Sequence, residues 1–240
     1  MPNKKNKIKP TVSLSDARID QLLAVHEHEE TTWRIFKILS EFVQGFELLR
    51  KYKRAVSIFG SSRSGLRHKM YREAHQLAYK LSKQGYAVIT GGGPGIMEAA
   101  NHGAFNANGQ SIGINIEGIS GDERRNKYVK EGESFRYFFT RKVMLSFASQ
   151  IYIFFPGGFG TLDELFEMIT MVQTKKIPRI PIILVNKKFW APLLAWIEET
   201  VYRKNRAIEK DHLEYYYLVD SAEEAFKLIQ MLVRQKKIPF

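Results

Sequence analysis

The sequence predicts an α/β fold, a three-layer Rossmann-like doubly wound parallel sheet with an N-terminal helical extension. From residue 54 onward, short apolar runs alternate with amphipathic stretches, which is typical of folds that alternate strands and helices. The runs AVSIF, IYIFF and IPIILV are apolar on both faces, as interior parallel strands covered by helices must be. Three of the apolar runs lead into glycine-rich loops, and such sheets bind ligands beyond the carboxyl ends of their strands.

Residues 1–53 are expected to form the helical extension. Between residues 15 and 51, Gly45 is the single glycine or proline, and apolar residues from Ile19 to Leu49 recur at helical spacing. This pattern predicts two helices. Residues 54–240 are then expected to form the Rossmann-like domain, a length that supports one sizeable core.

The elements of this domain follow from its apolar pattern. The predicted strands are Ala55–Phe59, Tyr86–Thr90, Ser111–Ile116, Ile151–Phe155, Ile180–Val185 and Tyr216–Val219. The predicted helices lie between them, at about 67–84, 94–107, 140–149, 161–174, 189–203 and 221–235.

Charge and composition narrow the possible partners. The chain has 37 Lys+Arg against 25 Asp+Glu, and the net charge of +12 favours anionic partners. No Lys/Arg run exceeds two residues and no zinc-finger or RNA-recognition pattern occurs, so nucleic acid is disfavoured as the partner. The absence of cysteine excludes a disulfide framework, a cysteine zinc site and a thiolate nucleophile. With no apolar run near the length of a membrane span, we expect a soluble, cytoplasmic protein that has no membrane partner.

Three predicted strands run into loops of small residues, each followed by a helix. The loops are Gly60–Arg63, Gly91–Gly95 and Pro156–Thr161. Glycine lets backbone amides approach a ligand, and the first turn of a helix offers unpaired N–H groups and a partial positive charge, so each loop suits an anion such as phosphate. The alternative is that the glycines only permit tight turns, which three such loops at one sheet edge make less favourable.

The common nucleotide and hydrolase signatures do not fit these loops. The dinucleotide pattern G-x-G-x-x-G fails because Gly91 and Gly93 are followed by Ile96, and no G-x-x-x-x-G-K-[ST] occurs. The nucleophile elbow G-x-S-x-G fails because Ser64 stands where its second glycine is needed. A hydride-transfer cofactor and an ATPase are therefore disfavoured.

Two acidic positions follow the glycine loops, and each has two interpretations. Asp163 and Glu164 are expected in the first turn of a helix, where Thr161 and Glu164 also have the spacing of a capping box. Because these acids would lie beside a proposed phosphate site, a catalytic carboxylate is the alternative. Glu98 is either a helix-dipole partner or an acceptor for sugar hydroxyls. Arg141, at the start of a predicted helix beside the anion site, is a candidate substrate contact.

These motifs together resemble those of one family. The segments G-G-G-P-G-I-M-E-A-A-N (Gly91–Asn101), F-F-x-R-K ending at Arg141-Lys142, and P-G-G-F-G-T-L-D-E (Pro156–Glu164) are similar to those of the LONELY GUY (LOG) family, whose members were long labelled "lysine decarboxylase-like". They point to its longer, second-type subgroup. The resemblance covers about residues 50–205.

The resemblance implies a nucleoside 5′-monophosphate phosphoribohydrolase, which releases a free base and ribose 5-phosphate from AMP or, in plants, from a cytokinin riboside monophosphate. It implies no metal, no cofactor, and a homodimer or higher homo-oligomer with the pocket near the subunit interface. It assigns Arg141 and Glu164 to catalysis, and Gly157, Gly158, Gly160 and Thr161 to the phosphate. Ribose and base contacts are assigned to Gly60, Ser61, Ser62, Gly91, Gly92, Gly93, Met97, Glu98 and Lys142.

The chemistry of glycosidic cleavage agrees with these assignments. Positive charge develops on the ribose ring, so a carboxylate beside C1′ stabilises the transition state and can activate water, a role for Glu164. Phosphate held by loop amides would position the nucleotide without a metal. Arg141 could anchor the substrate, orient Glu164 or support the leaving base, and the sequence leaves these open.

Other functions remain as alternatives. A non-catalytic nucleotide-binding or molybdenum-cofactor carrier protein of the same fold would use the same loops, and DNA binding at this sheet edge is a third reading. A decarboxylase is disfavoured because it needs pyridoxal phosphate on a Schiff-base lysine. The segment Leu66-Arg67-His68-Lys69 lacks the serine of the corresponding S-x-H-K motif.

Overall fold

The computed structural model describes residues 31–63, 68–117 and 125–238. Seven parallel strands form one sheet in the order β4-β3-β2-β1-β5-β6-β7. The strands are β1 Ala55–Phe59, β2 Ala87–Thr90, β3 Ser111–Ile116, β4 Glu131–Phe135, β5 Ile151–Phe154, β6 Ile182–Val185 and β7 Tyr216–Val219. The predicted bounds of β1, β3 and β7 are confirmed, and β2, β5 and β6 are one or two residues shorter than predicted.

Helices connect the strands as the apolar pattern predicts. They are α1 Thr31–Leu49, α2 His68–Lys83, α3 Ile96–Asn106, α4 Phe138–Ser146, α5 Phe159–Gln173, α6 Lys187–Trp196 and α7 Ala222–Arg234. A π-helical segment, Ile197–Lys204, continues α6, and a short 3₁₀ helix spans Lys210–Glu214. Within the three described ranges, no helix has the length and apolar character needed to cross a bilayer.

The strand order reverses beside β1. From β1 the chain moves outward through β2 and β3 to β4, then returns to place β5 on the other side of β1. Val56 pairs with Ile151 and Phe59 with Phe154, so the two strands end at the same level. The loops that leave β1 and β5 therefore diverge at the switch point, which is where doubly wound sheets bind ligands.

Both faces of the sheet are covered, as the doubly apolar strands predict. Val56 and Ile58 of β1 pack into one core with α2, α3 and α7. Ala55 and Phe59 of the same strand pack into a second core with α4 and α5. Alternate residues of one strand thus enter opposite cores, and the three-layer Rossmann-like prediction is confirmed.

Strand β4 was not predicted. Its sequence, Glu131–Phe135, reads EGESF, and Phe135 is its one buried residue. The strand lies at the edge of the sheet and pairs with β3 alone. An edge strand needs no apolar run, because partly exposed side chains do not have to fill a core. Strand β4 forms because it pairs with the backbone of β3, and an apolar sequence pattern does not reveal such pairing.

The extension contains one described helix. The second predicted helix corresponds to α1, and the first falls on residues outside the described ranges. The boundary between two compact units of the chain falls between Ser40 and Glu41, inside α1. The division at residues 53 and 54 stays a prediction.

Residues from Glu41 onward position α4. The Glu41 carboxylate accepts the backbone N–H of Arg136 at 2.7 Å and the hydroxyl of Thr140, which fixes the start of α4. A Cβ at Gly45 would lie 2.2 Å from the sulfur of Met144, so glycine allows α1 and α4 to approach closely. Because α4 carries Arg141 and Lys142, these contacts help to place two candidate site residues.

Candidate functional site

A cavity of about 710 Å³ opens at the carboxyl edge of the sheet, between the loops that follow β1 and β5. The loop after β2 and helices α3, α4, α5 and α6 supply its other walls. The described residues that line it are Phe59, Gly60, Ser61, Ser62, Arg63, Gly91, Met97, Phe138, Arg141, Leu145, Gly157, Gly158, Phe159, Gly160, Thr161, Leu162, Glu164 and Phe189.

The three glycine loops meet at Ser61. Its N–H donates to the carbonyl of Pro156 at 3.1 Å, and its carbonyl accepts from the N–H of Ile96 at 3.0 Å. Gly95 has a φ of +73°, and a Cβ there would lie 2.3 Å from the Ser61 carbonyl oxygen. Only glycine suits both the backbone angle and the close approach. The expectation that three separate loops converge at one sheet edge is therefore confirmed.

The first turn of α5 presents unpaired amides to the cavity. The N–H groups of Thr161 and Leu162 both donate to the carbonyl of Gly158 at 3.0 Å. Among the described residues, no backbone acceptor engages the N–H groups of Phe159 and Gly160. A Cβ at Gly158 or Gly160 would meet no atom within 4 Å, so these glycines face open space. Unpaired N–H groups at a helix start favour an anion.

The helix starts earlier than the sequence predicts, and this overturns the capping-box interpretation of Glu164. Helix α5 begins at Phe159 with Gly158 as its N-cap, so Thr161 is its third residue. No side chain caps the helix, and its first turn contains no acidic residue. The prediction that Asp163 and Glu164 lie in the first turn is therefore wrong. The paired glycines at the end of β5 already supply the turn, so the helix does not need a side-chain cap.

Glu164 is instead a buried carboxyl group on the cavity wall. It is 6% exposed, and its Oε1 lies 3.3 Å from the Nζ of Lys142. The pKa of Glu164 is raised to about 7, chiefly by burial and also by the negative charge of Glu167, while the positive charges of Lys142 and Arg141 oppose the rise. A group with this pKa exchanges its proton near neutral pH, as a general base or acid must.

Arg141 reaches the same cavity from α4. Its Nε donates to the carbonyl of Ile114, in the carboxyl half of β3, at 2.9 Å. A Cβ at Gly91 would lie 2.5 Å from its Nη2, so the guanidinium lies close against the glycine loop. The absence of a side chain at Gly91 thus makes room for Arg141. The structure brings Arg141 and Glu164 to one cavity, and their catalytic roles remain to be tested.

Most of the predicted site residues line this cavity, and four do not. Gly92, Gly93, Glu98 and Lys142 lie outside the lining. Glu98 is in the first turn of α3, as predicted. It lies near Tyr71 of α2, whose pKa is raised to about 12 by burial and then by the negative charge of Glu98. The ribose and base contacts assigned to these four residues stay predictions.

A buried amide network supports the glycine loop after β2. The Nδ2 of Asn126 lies 3.0 Å from the carbonyl oxygens of both Gly92 and Gly93, and 2.9 Å from the Oδ1 of Asn101. The hydroxyl of Thr90 also donates to Asn101, at 2.6 Å. These two carbonyls are therefore engaged within the protein. The motif contained Asn101, but nothing in the sequence indicated Asn126, which joins the loop only through the tertiary fold.

Sequence reasoning also missed the aromatic and basic part of the lining. Phe59, Phe138 and Phe189 come from three different elements. Phe159, inside the third glycine loop, is 92% exposed at the cavity mouth. Arg63 adds a positive charge at the end of the first loop. Loop phenylalanines were visible in the sequence, but the pattern does not separate core residues from lining residues. In the described parts of the chain, no group of three or more His, Asp or Glu could hold a metal ion.

Comparison with known proteins places the chain in a family. A family model described as "Possible lysine decarboxylase" matches residues 97–229, more than half of the chain. The probable cytokinin riboside 5′-monophosphate phosphoribohydrolase LOGL5 of Oryza sativa subsp. japonica is 30% identical over 151 residues, which cover 62% of this chain and 61% of LOGL5. The chain belongs to the LOG family.

Other LOG proteins give similar values. The cytokinin riboside 5′-monophosphate phosphoribohydrolase LOG1 of Arabidopsis thaliana is 29% identical over 157 residues, 65% of this chain and 73% of LOG1. The matched part spans 61% of LOGL5 and 62% of the rice LOG protein. At these values the family is shown, and the substrate of this chain is a separate question.

Solved structures with the same fold include carriers. A molybdenum cofactor binding protein from Rippkaea orientalis has a TM-score of 0.55 and 22% identity, over 75% of this chain and 95% of that one. The molybdenum cofactor carrier protein MCP of Chlamydomonas reinhardtii has a TM-score of 0.56 and 16% identity, over 76% of this chain and 99% of that one. At such low identity these similarities establish the fold alone.

Proposed function

We propose that this LOG-family protein is a nucleoside 5′-monophosphate phosphoribohydrolase, which cleaves AMP or a cytokinin riboside monophosphate into free base and ribose 5-phosphate. One observation carries the proposal. Successive turns of α5 bring two unpaired backbone amides, those of Phe159 and Gly160, and the buried carboxyl group of Glu164 to one cavity. This combination suits a substrate that has a phosphate at one end and a bond to be hydrolysed nearby.

The first turn of α5 binds the phosphate in this proposal. Its unpaired amides carry the partial positive charge of the helix N-terminus, and Arg63 and Arg141 add full charges to the lining. Gly158 and Gly160 leave the space that phosphate oxygens need. Binding at this end fixes the sugar relative to the cavity wall, which lowers the entropic cost of reaching the reacting geometry.

Glu164 acts on the sugar. As cleavage proceeds, positive charge develops at C1′ and on the ring oxygen, and an ionised carboxylate beside them stabilises that charge. The same carboxylate accepts a proton from the attacking water, because its pKa of about 7 matches the working pH of a general base. The water oxygen bonds to C1′ as the bond to the base nitrogen breaks, and the base leaves with the bonding electrons.

Arg141 supplies a fixed positive charge beside this carboxylate. Its hydrogen bond to the carbonyl of Ile114 in β3 and its contact with Gly91 hold the guanidinium in the cavity wall. There it opposes the rise in the pKa of Glu164, so that the carboxylate can ionise, and its position in the cavity lining supports a contact with the substrate. We propose both roles for it.

A decarboxylase fits this cavity poorly. Such an enzyme holds its carbonyl cofactor as a Schiff base on a lysine amine. None of the described residues that line the cavity is a lysine, and Lys142 lies outside the lining with its ammonium engaged by carboxylates. The family description therefore does not carry over to this site as an activity.

A mass-spectrometric assay tests the proposal. The full chain is incubated with AMP, GMP, CMP, UMP and a cytokinin riboside monophosphate, and the products are identified. We expect free base and ribose 5-phosphate in equal amounts from at least one nucleotide, and the panel also reveals the preferred base. Binding without turnover of any nucleotide would instead support a carrier or sensor.

The Glu164→Gln variant tests the role of the carboxyl group. Glutamine keeps the size of the side chain but cannot ionise, so we expect turnover to be lost while nucleotide binding, measured by calorimetry, is retained. Activity equal to that of the unmodified chain would refute the assignment. The matched control is Glu224→Gln, a glutamate whose carboxylate accepts from the Asp220 N–H at the start of α7.

A further inference from the structure

Lys142 bridges α4 to three carboxylates of α5. Its Nζ lies 2.6 Å from the Oδ2 of Asp163, 2.9 Å from the Oε2 of Glu167 and 3.3 Å from the Oε1 of Glu164. The Lys142 side chain is 18% exposed, so solvent screens these charges only partly. Within this cluster Glu164 lines the cavity, whereas Lys142, Asp163 and Glu167 lie outside the lining, which suggests that Lys142 has a task other than contact with substrate.

We propose that Lys142 is a positioning residue for Glu164, and that Asp163 and Glu167 hold its ammonium group in place so that it sets the orientation and charge of that carboxylate. The role of Glu164 in cleavage rests on the proposed function. The coupling of its charge to Lys142 and Glu167 does not, and it can be measured separately.

The contacts of the ammonium group explain the orientation, because its Nζ donates hydrogen bonds to Asp163 and Glu164 and lies within ion-pair distance of Glu167. A lysine ammonium has three donors, and three carboxylates surround this one. The Oε1 of Glu164 is held by Lys142, and no hydrogen bond among the described residues engages its Oε2. The carboxylate is therefore fixed by one oxygen, and the other is left for the attacking water.

The number of charges explains why Glu164 carries the exchangeable proton. Asp163 and Glu167 of α5 bring negative charges, and Lys142 and Arg141 of α4 bring positive ones. With all three carboxyls ionised, the cluster would carry a net negative charge. The exposed fractions of the three side chains are 7% for Glu164, 26% for Glu167 and 49% for Asp163, so burial penalises the charge of Glu164 most.

The other groups around Glu164 do not compete for this proton. Tyr152 of β5 interacts with it electrostatically, and burial raises the pKa of the Tyr152 phenol, which stays neutral. Arg63 lines the same cavity, and a guanidinium is not a group that takes part in proton exchange near neutral pH. Burial lowers the pKa of Lys142, but its contacts with Asp163 and Glu167 outweigh this and raise it overall. Lys142 therefore remains an ammonium while Glu164 titrates.

Opposite changes in the cluster should shift the titration of Glu164 in opposite directions. The full chain is labelled with ¹³C at its glutamate carboxyls, and the signal of Glu164 is assigned by its loss in Glu164→Gln. We expect Lys142→Met to raise the midpoint by about one pH unit, because a favourable charge is lost. Glu167→Gln should lower it by a similar amount, because a like charge is removed. Lys142→Arg keeps the positive charge, so its midpoint should stay close to that of the unmodified chain.

Kinetics add a second readout if the chain hydrolyses nucleotides. The acid limb of kcat/KM should shift with the NMR midpoint in each variant. Lys142→Met should lower kcat at neutral pH with little change in KM, because the phosphate amides of α5 are untouched. Lys80→Met is the matched control, since Lys80 forms an exposed ion pair with Glu223 away from the cavity, and it should move neither quantity.

The outcomes separate this inference from the proposed function. If the midpoint moves in neither variant, or in the same direction in both, the inference is wrong, whatever the activity. Opposite shifts in a chain that cleaves no nucleotide would uphold the inference and refute the proposed function. If Lys142→Met does not fold, Glu167→Gln and Lys142→Arg still decide the question. The inference requires that the titration midpoint of Glu164 falls in Glu167→Gln and changes little in Lys142→Arg.

Discussion

Glu164 combines a charge-bearing group with a buried position. Its neighbours on α5, Leu165 and Met168, are core residues, so the helix face that carries Glu164 lies close to the protein interior. At an exposed position a glutamate is almost fully ionised at neutral pH. Here burial brings its pKa to about 7, which is useful for proton transfer and costly for folding.

The cost to folding predicts a more stable variant. The pKa of Glu164 rises from 4.5 to about 7 in the folded chain, so ionising it opposes folding. The penalty is absent below pH 4.5, grows as pH rises and is complete above about pH 7. Glu164→Gln should therefore be more stable by about 1 to 3 kcal/mol at pH 8, and about as stable as the unmodified chain at pH 4. Urea unfolding at both pH values measures this difference, and a variant less stable at pH 8 would contradict it.

The same pKa predicts how activity depends on pH. If Glu164 must be ionised to act, kcat/KM should rise with pH and reach a plateau above about pH 7. Below that value it should fall by about tenfold for each pH unit. A pH profile with AMP measures the limb, and activity that stays constant from pH 5 to pH 8 would exclude Glu164 as the base, since its charge changes across that range.

At the scale of the element, the glycines around the start of α5 have different structural reasons. A Cβ at Gly157 would lie 2.0 Å from the Oγ1 of Thr161, so the fold itself excludes a side chain there. A Cβ at Gly160 would meet no protein atom within 4 Å. The fold therefore requires the first glycine, and the empty space beside the second is available to a ligand.

This contrast predicts opposite effects of two alanine substitutions. Gly157→Ala forces Thr161 to move and should lower the free energy of unfolding by about 1 to 3 kcal/mol. Gly160→Ala should leave stability unchanged or slightly higher, because alanine favours helix. It should nevertheless raise KM several-fold, because the new methyl group occupies space meant for phosphate. Thermal unfolding and steady-state kinetics separate the two, and an unchanged KM in Gly160→Ala would place the phosphate elsewhere.

For the whole molecule, charge and site act together. The net charge of +12 attracts anions in general, whereas the first turn of α5 offers a specific position for one. A ligand that binds only the folded chain stabilises it by mass action. The homo-oligomer and the cytoplasmic location expected from the sequence stay predictions, and sedimentation of the full chain would measure the first.

Ribose 5-phosphate should raise the melting temperature of the full chain. At a hundredfold excess over its Kd, the gain is about 2.7 kcal/mol. Two controls accompany it. Ribose at the same concentration lacks the phosphate, and sodium chloride at the same ionic strength reproduces the salt effect alone. An equal rise with ribose, or a rise reproduced by salt alone, would show that the phosphate end does not anchor the ligand.

Much of the fold and part of the site could be predicted from local patterns. The apolar runs located β1, β3 and β7 with their correct bounds, because a buried parallel strand must be apolar on both faces. Strand β4 escaped, because an edge strand held by β3 has no such requirement. The start of α5 was placed two residues late, because Thr161 and Glu164 imitate a cap that Gly158 makes unnecessary.

The sequence by itself determined the doubly wound class, the glycine loops and the family motifs, because these depend on residues that are close along the chain. Only the tertiary structure decided which distant groups meet. It placed Asn126 under the loop at Gly92, Arg141 against Gly91, and Lys142 among the carboxylates of α5. The charge of Glu164 was likewise decided by the tertiary structure. Its pKa depends on burial and on the distances to charged neighbours, and packing alone determines both.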